Sequence, residues 1–354
     1  MVIFDIFDIF DMRKITAFVV SSVVLAGCGE YNDNIFDAPV RKATAEKTCT
    51  LDGTPVELGE EKPEGIRGIF TCDSTLFLRG KVKDSPYMIH EFSLSDGIYK
   101  GSYIAKGRGE KELLSPRLES CVNGGIYIFD LNLCSSYRFD YKSSEEAHDT
   151  ELSRLVKLPG RTLYSYPIDD KHFSIGVDED DYVGNILDEK GNVQKRISLY
   201  PHVSAQSHFD RLSASGELNE GRKKLALAML MLPQVNFLDL DTEDRITSAV
   251  SDKYKDWKES VNGDDKNRRI YYLSSTQSSE YYMTLYVGGS TVIETANGVA
   301  PHLHVFDWDG RLLYDVALKE KIGSIAFDES SGMLYGVDSN DEIWRYDLSE
   351  LTKS

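Results

Sequence analysis

Six times along this chain a run of β-branched and aromatic residues ends on an aromatic residue or leucine followed by aspartate. The pairs are Phe129-Asp130, Phe139-Asp140, Leu238-Asp239, Phe306-Asp307, Phe327-Asp328 and Tyr346-Asp347. The pairing has a physical reason. The apolar residue fills the space between packed sheets, and the carboxylate that follows accepts hydrogen bonds from backbone N–H groups of the next turn. The last unit is the clearest: Gly323 to Phe327, Met333 to Val337 and Ile343 to Asp347 predict three strands joined by the turns Asp328 to Gly332 and Asp338 to Asp341. Strands at this spacing make one blade of a propeller.

Other strand-like runs support the same reading, among them Thr75 to Leu78, Gly125 to Phe129, Leu225 to Leu232, Tyr281 to Val287 and Leu303 to Phe306. Turn clusters such as Ser95-Asp96-Gly97, Glu189-Lys190-Gly191-Asn192 and Trp308-Asp309-Gly310 separate them. This is antiparallel meander, with short helices expected only over Asp252 to Ser260 and Glu145 to Arg154. The expected fold is all-β, a six-bladed β-propeller closed by N- and C-terminal strands. Its blades fall near residues 65–109, 113–159, 162–201, 208–252, 268–322 and 323–350, the last completed by 42–59. Within that stretch Thr48 to Val56 is the expected locking strand beside the final blade, because a ring without such a clasp leaves two sheet edges open. A β-helix or a pair of β-sandwiches is the competing architecture.

The N-terminus carries a different message. Arg13 and Lys14 precede an apolar stretch, Ile15 to Leu25, which closes on Leu25-Ala26-Gly27-Cys28. A basic segment, an apolar segment and small residues before a cysteine form a lipoprotein signal peptide, in which the Cys28 thiol receives the lipid and becomes the first mature residue. The apolar run is shorter than the roughly 20 residues that span a bilayer. Upstream, the Ile-Phe-Asp repeat of residues 1–11 places three carboxylates before the basic pair, so Met12 is the expected start. The expected organisation is a signal peptide over 1–27, a lipidated tether over 28–40 and one propeller domain over 41–354. The expected location is the bacterial cell envelope, at the outer membrane, facing the periplasm or the surface.

Composition limits the partners. The formal charge is −18, and so acidic a surface repels phosphate backbones, which argues against nucleic acid. Besides Cys28 the chain has Cys49, Cys72, Cys121 and Cys134. A straight strand over Ile126 to Leu131 would hold Cys121 and Cys134 about 20 Å apart, too far for a bridge. A Cys49–Cys72 bridge stays open, and buried free thiols are the default expectation.

With these residues in hand, the chain resembles the TolB-like six-bladed propeller lipoproteins of bacteroidetes. The resemblance rests on the Cys28 motif, on Gly107-Arg108-Gly109-Glu110-Lys111-Glu112 and on His302-Leu303-His304-Val305-Phe306-Asp307-Trp308-Asp309-Gly310. The second segment is similar to a Gly-Arg-Gly-Pro-x-Glu loop of that family, with Glu110 standing where proline is usual. The resemblance implies fold and location, and no activity.

Candidate chemistry is sparse. Arg108 could hold a carboxylate or a sugar hydroxyl through its planar fork, although the simpler reading pairs it with Glu112 or with backbone in a glycine turn. His302 and His304 are two apart, so a strand projects both from one face, as a shared metal would need. No third ligand stands at recognisable spacing, and packed or solvent-facing histidines are the simpler reading. Asp178-Glu179-Asp180-Asp181 lacks the alternation, glycine and distal glutamate of an EF-hand. The tyrosines 271, 272, 281, 282 and 286 suit strand filling better than sugar stacking. Neither a Gly-x-Ser-x-Gly elbow nor a P-loop is present. No catalytic residue and no cofactor is expected. The sequence thus points to a lipid-anchored, non-enzymatic recognition module for an envelope protein or glycan, with a metal-dependent propeller hydrolase or lactonase as the alternative.

Overall fold

The structure, a computed structural model, describes residues 34–122, 124–141, 151–201, 203–204, 212–250, 257–258 and 268–352. Six antiparallel sheets follow one another in chain order. Blade 1 runs Glu64–Cys72, Thr75–Lys81, Tyr87–Ser93 and Tyr99–Lys106, with Glu112–Leu113 added in parallel at its outer edge. Blade 2 runs Pro116–Val122, Gly125–Asp130, Ser135–Asp140 and Glu151–Lys157, and blade 3 runs Thr162–Ile168, Lys171–Asp178, Asp181–Leu187 and Val193–Ser198. Blade 4 comprises Ala214–Asn219, Lys224–Met229, Gln234–Asp239 and Arg245–Ala249; blade 5 comprises Arg269–Gln277, Tyr281–Thr291, His302–Asp307 and Leu312–Leu318. Blade 6 has three strands of its own, Ile322–Asp328, Met333–Asp338 and Ile343–Asp347. The six units match those expected from the repeat.

The aspartates behave as the repeat requires. Asp130 accepts from the N–H groups of Leu114, Ser115 and Leu133, which ties the loop between blades 1 and 2 to the turn inside blade 2. Asp239 caps Asp241 and Thr242, Asp307 caps Asp309 and Arg311, and Asp347 caps Ser349. Asp140 differs, its carboxylate taken by the Arg138 guanidinium. The apolar partners Phe129, Phe139, Leu238, Phe306 and Tyr346 are all buried between blades.

Closure is more elaborate than the single clasp expected over Thr48 to Val56. Thr54–Pro55 completes blade 6 against Trp344 and Arg345. Lys47–Leu51 instead lies parallel to Tyr314–Leu318 as a fifth strand of blade 5, and Val40–Lys42 lies parallel to Thr247–Ala249 on blade 4. The N-terminal segment is therefore a strap laid across the outer edges of three consecutive blades, covering backbone that would otherwise be open to pairing. The expected tether does not persist to residue 40. Ile35 and Phe36 are fully buried in the core of blades 3 and 4. There Arg245 lies 5.2 Å from the centre of the Phe36 ring and donates to the Phe36 carbonyl, while Asn34 Nδ2 donates to Thr247 Oγ1 at 2.8 Å. Two apolar residues in a polar stretch are enough to dock it.

The cysteine expectation is corrected as well. Cys72 and Cys121 form a disulfide, with Cα atoms 5.6 Å apart, while Cys49 and Cys134 are free. They end the innermost strands of blades 1 and 2, and the ring brings those ends together. Residues 151–154, expected to be helical, open the outer strand of blade 2, where Leu152 lies opposite Phe139. Of the helix expected over 252–260 only the helical residues 257–258 are described. The signal peptide and Cys28 lie outside the described residues. Among those described, no helix is long and apolar enough to cross a membrane.

Candidate functional site: the central channel

His302 and His304 occupy the third strand of blade 5 and face one carboxylate. His302 Nδ1 lies 2.6 Å from Asp315 Oδ1, and His304 Nε2 lies 3.9 Å from the same oxygen. His304 is buried, stacked on Tyr286 with ring centres 4.5 Å apart, and its Nδ1 is 3.3 Å from the Tyr272 hydroxyl. Burial pushes its pKa down to about 4, outweighing the attraction of Asp315, so the ring is neutral at pH 7. Aromatic packing accounts for this histidine. Tyr272 and Tyr282 are likewise fully buried.

Arg108 and Glu112 lie at the outer edge of blade 1. Glu112 accepts from the Gly109 N–H at 2.8 Å, tying up its own glycine turn, and Arg108 is exposed. In blade 3, Arg196 reaches Asp178 at 3.4 Å and Asp181 at 3.1 Å, so that acidic turn is a solvated, ion-paired one. None of these residues lines the centre of the ring.

The centre is a cavity of about 620 Å³ to which all six innermost strands contribute, within the roughly 300–1,000 Å³ of small-molecule sites. Contacts between neighbouring innermost strands set their alignment. Ser215 Oγ meets Ser275 Oγ at 2.7 Å, Ile325 N donates to Ser274 Oγ, Thr71 Oγ1 donates to the Phe327 carbonyl, and the disulfide joins blade 1 to blade 2. Tyr166 donates to the Gly216 carbonyl at 2.6 Å, joining blade 3 to blade 4. The strands therefore run side by side in one direction, and a residue's place along its strand gives its height in the channel.

Height sorts the charges. Near the strand starts the wall carries Arg67, Arg79, Arg117 and Tyr164; near the strand ends it carries Asp73, Glu220, Asp328 and Glu329. Glu119 and Glu217 stand between. Arg79 belongs to the second strand of blade 1 and reaches the channel beside Gly68, where an added Cβ would meet Arg79 Nε at 3.3 Å. Its Nη2 donates to the Arg67 carbonyl at 2.8 Å. Arg117 is ion-paired with the buried Glu119, and its guanidinium lies 4.0 Å from the centre of the Tyr164 ring.

Burial perturbs these groups. It pushes Glu217 up to about 8, with Glu119 adding to the rise against a hydrogen bond from Ser275 and the attraction of Arg117. It pushes Glu220 up to about 7, Asp169 adding to the effect. Glu119 is also raised by burial, with Arg117 opposing. Arg79 is lowered, first by burial and then by the like charges of Arg117 and Arg67. Several buried polar atoms on the wall have no hydrogen-bond partner among the described residues: Arg117 Nη2, Gln277 Oε1 and Glu220 Oε1. These atoms are themselves buried, so their unmade hydrogen bonds weigh on the fold rather than face the cavity. Among the described residues the lining includes neither histidine nor free cysteine. What it offers is a dense set of hydroxyl, amide, carboxyl and guanidinium groups for recognising a polar ligand.

This wall does not stand out in the sequence. Its signal was the alternation Arg117-x-Glu119 and Ser215-x-Glu217 on strands that open a blade, where alternate residues face a wet channel. That signal becomes legible only once it is known which strand of each blade lies innermost.

Comparison with known proteins agrees with this architecture. The family model described as TolB-like 6-blade propeller-like matches residues 69–330. Two solved structures are similar in fold. One is a member of the DUF4221 family from Bacteroides vulgatus, with TM-score 0.55, 13% identity, and 86% of this chain and 97% of that chain covered. The other is a candidate exported protein from Bacteroides fragilis, with TM-score 0.56, 9% identity, and 87% and 98% covered. None of the curated proteins matches the sequence. A six-fold blade repeat, a strap that closes the ring and a polar central channel meet in one matched family: the chain belongs to the TolB-like six-bladed propellers.

Proposed function

We propose that this protein is a lipid-anchored propeller of the bacterial cell envelope, held at the outer membrane through Cys28, and that it recognises a glycan in its central channel without turning it over. The observation that carries the reading is the channel wall, a cavity of about 620 Å³ lined by hydroxyl, amide, carboxyl and guanidinium side chains, Ser215, Ser275, Gln277 and Arg117 among them. Glycan recognition relies on planar polar side chains and hydroxyls that donate and accept in fixed directions, and this wall is built of them. Export is supported by the Leu25 to Cys28 motif, by the Cys72–Cys121 disulfide, which suits an oxidising compartment, and by the description of the similar Bacteroides fragilis protein.

The alternative of a metal-dependent hydrolase or lactonase would need convergent ligands. Among the described residues the one grouping of three potential ligands is Cys72, Asp73 and Cys121, and the disulfide engages both sulfurs. Two experiments test the proposal. Cys28→Ala should abolish incorporation of labelled lipid and shift the protein to the soluble fraction; wild-type membrane retention would refute the anchor. The intact chain carrying Cys28→Ser should bind members of a glycan array without releasing product, and absence of binding across neutral and acidic glycans would refute the recognition reading.

A further inference from the structure

The cationic end of the channel has a specific physical oddity. Three guanidiniums, those of Arg67, Arg79 and Arg117, line one mouth of the cavity, and among the described residues only Arg117 has a carboxylate in contact, Glu119. Gathering like charges around a partly dehydrated cavity costs energy unless an anion joins them. The chain nevertheless brings Arg79 in from the second strand, past the space left at Gly68, and fixes it on the Arg67 carbonyl. Arg117 is held by Glu119 on one side and Tyr164 beneath, while about 38% of its side-chain surface stays exposed on the channel wall. A planar guanidinium held in this way is suited to a carboxylate.

We infer that Arg67, Arg79 and Arg117 form an anion subsite at this mouth of the channel, which takes the carboxylate of an acidic saccharide, a uronic acid, while the hydroxyl and amide groups deeper in the channel hold its sugar hydroxyls. The inference rests on the glycan reading above and names the class of glycan. A monoanion fits better than a phosphate dianion, because the Glu119 carboxylate, paired with Arg117, already takes up part of the cluster's positive charge. Glu217, raised by burial, is largely uncharged at pH 7 and can donate a hydrogen bond. A saccharide matches the row of hydroxyls at Ser215, Ser274, Ser275 and Thr276 more fully than an extended peptide, which would bring one carboxylate but few hydroxyls to them.

Calorimetric titration of the intact chain carrying Cys28→Ser tests this, with trigalacturonate, its neutral methyl ester, an acidic tripeptide and inorganic phosphate as probes. Trigalacturonate should bind at least about tenfold more tightly than each of the others. Arg79→Gln should weaken it by about tenfold or more. Arg67→Gln, at an exposed position, supplies a second variant that keeps the fold and should weaken it by a few-fold. His302→Gln should leave binding unchanged. Equal binding of the ester and the acid would overturn the subsite while leaving glycan recognition standing. Binding of neither saccharide would overturn the subsite and count against the glycan reading as well. Peptide or phosphate bound as tightly as trigalacturonate, or Arg79→Gln and Arg67→Gln both binding like wild type, would also overturn the inference.

Discussion

Two polar clusters of this propeller make an instructive pair, the histidines of blade 5 and the wall of the central channel. In the first, His304 is sealed between blades, stacked on Tyr286 and hydrogen-bonded to Tyr272, and His302 closes on Asp315. In the second, Arg117, Gln277, Ser215 and Ser275 line open volume with guanidinium, amide and hydroxyl groups. Sealing a polar group among packed rings commits it to holding the fold, whereas lining a cavity with it keeps it available to a ligand. Eye-catching residues two apart in sequence belong to the first kind. The second kind is assembled from six strands spread over more than two hundred residues.

If that division is right, perturbing the histidine cluster should move stability alone, and perturbing the channel wall should move binding. The largest stability effect expected lies at the channel rim, where the disulfide closes a loop with a sequence separation of 49. Replacing Cys72 and Cys121 by serine should cost about 4 kcal/mol in denaturant unfolding. His304→Ala should follow, at about 2–4 kcal/mol, since it empties a packed aromatic site. Its pH signature is distinct. A buried base whose pKa falls from 6.5 to about 4 contributes stability that is whole above pH 6.5 and is lost as pH drops towards 4. Wild-type melting should therefore fall across that window, and His304→Gln should flatten the fall.

Glu217 gives a smaller effect of opposite sign. Its pKa rises from 4.5 to about 8, so its contribution is whole below pH 4.5 and is lost as pH climbs through 8. Glu217→Gln should raise the melting temperature at pH 8.5 by a few degrees and change it little at pH 5. Smallest of all is His302→Gln, whose half-exposed ion pair with Asp315 is worth about 0–1 kcal/mol. A His302→Gln variant that lost ligand affinity would break the comparison outright.

Much of the architecture was legible in the sequence because its causes are local. The apolar-aspartate repeat marks strand ends through a turn cap, and the caps at Asp239, Asp307 and Asp347 are those the repeat requires. What escaped was set by the ring. Cys72 and Cys121 pair because neighbouring innermost strands end together, a relation invisible in their spacing. Lys47–Leu51 and Val40–Lys42 join blades 5 and 4 because the strap circles the outside, where alternation of residues does not say which sheet a strand will join. Ile35 and Phe36, set among Asn and Asp, read as tether and pack as core. Arg79 is the sharpest case: its route to the channel depends on the missing side chain of Gly68, eleven residues earlier on the neighbouring strand.

The central claim, that the channel is where this protein recognises its ligand, is tested most directly by blocking it. Ser324 is half-buried on the channel wall, and Ser324→Trp places an indole in the cavity. Titration of trigalacturonate into wild type, Ser324→Trp and His302→Gln, each checked for unchanged melting, compares the two clusters in one measurement. The account predicts that Ser324→Trp weakens binding by about a hundredfold, about 2.7 kcal/mol, while His302→Gln binds like wild type. Wild-type affinity in a folded Ser324→Trp protein would contradict it.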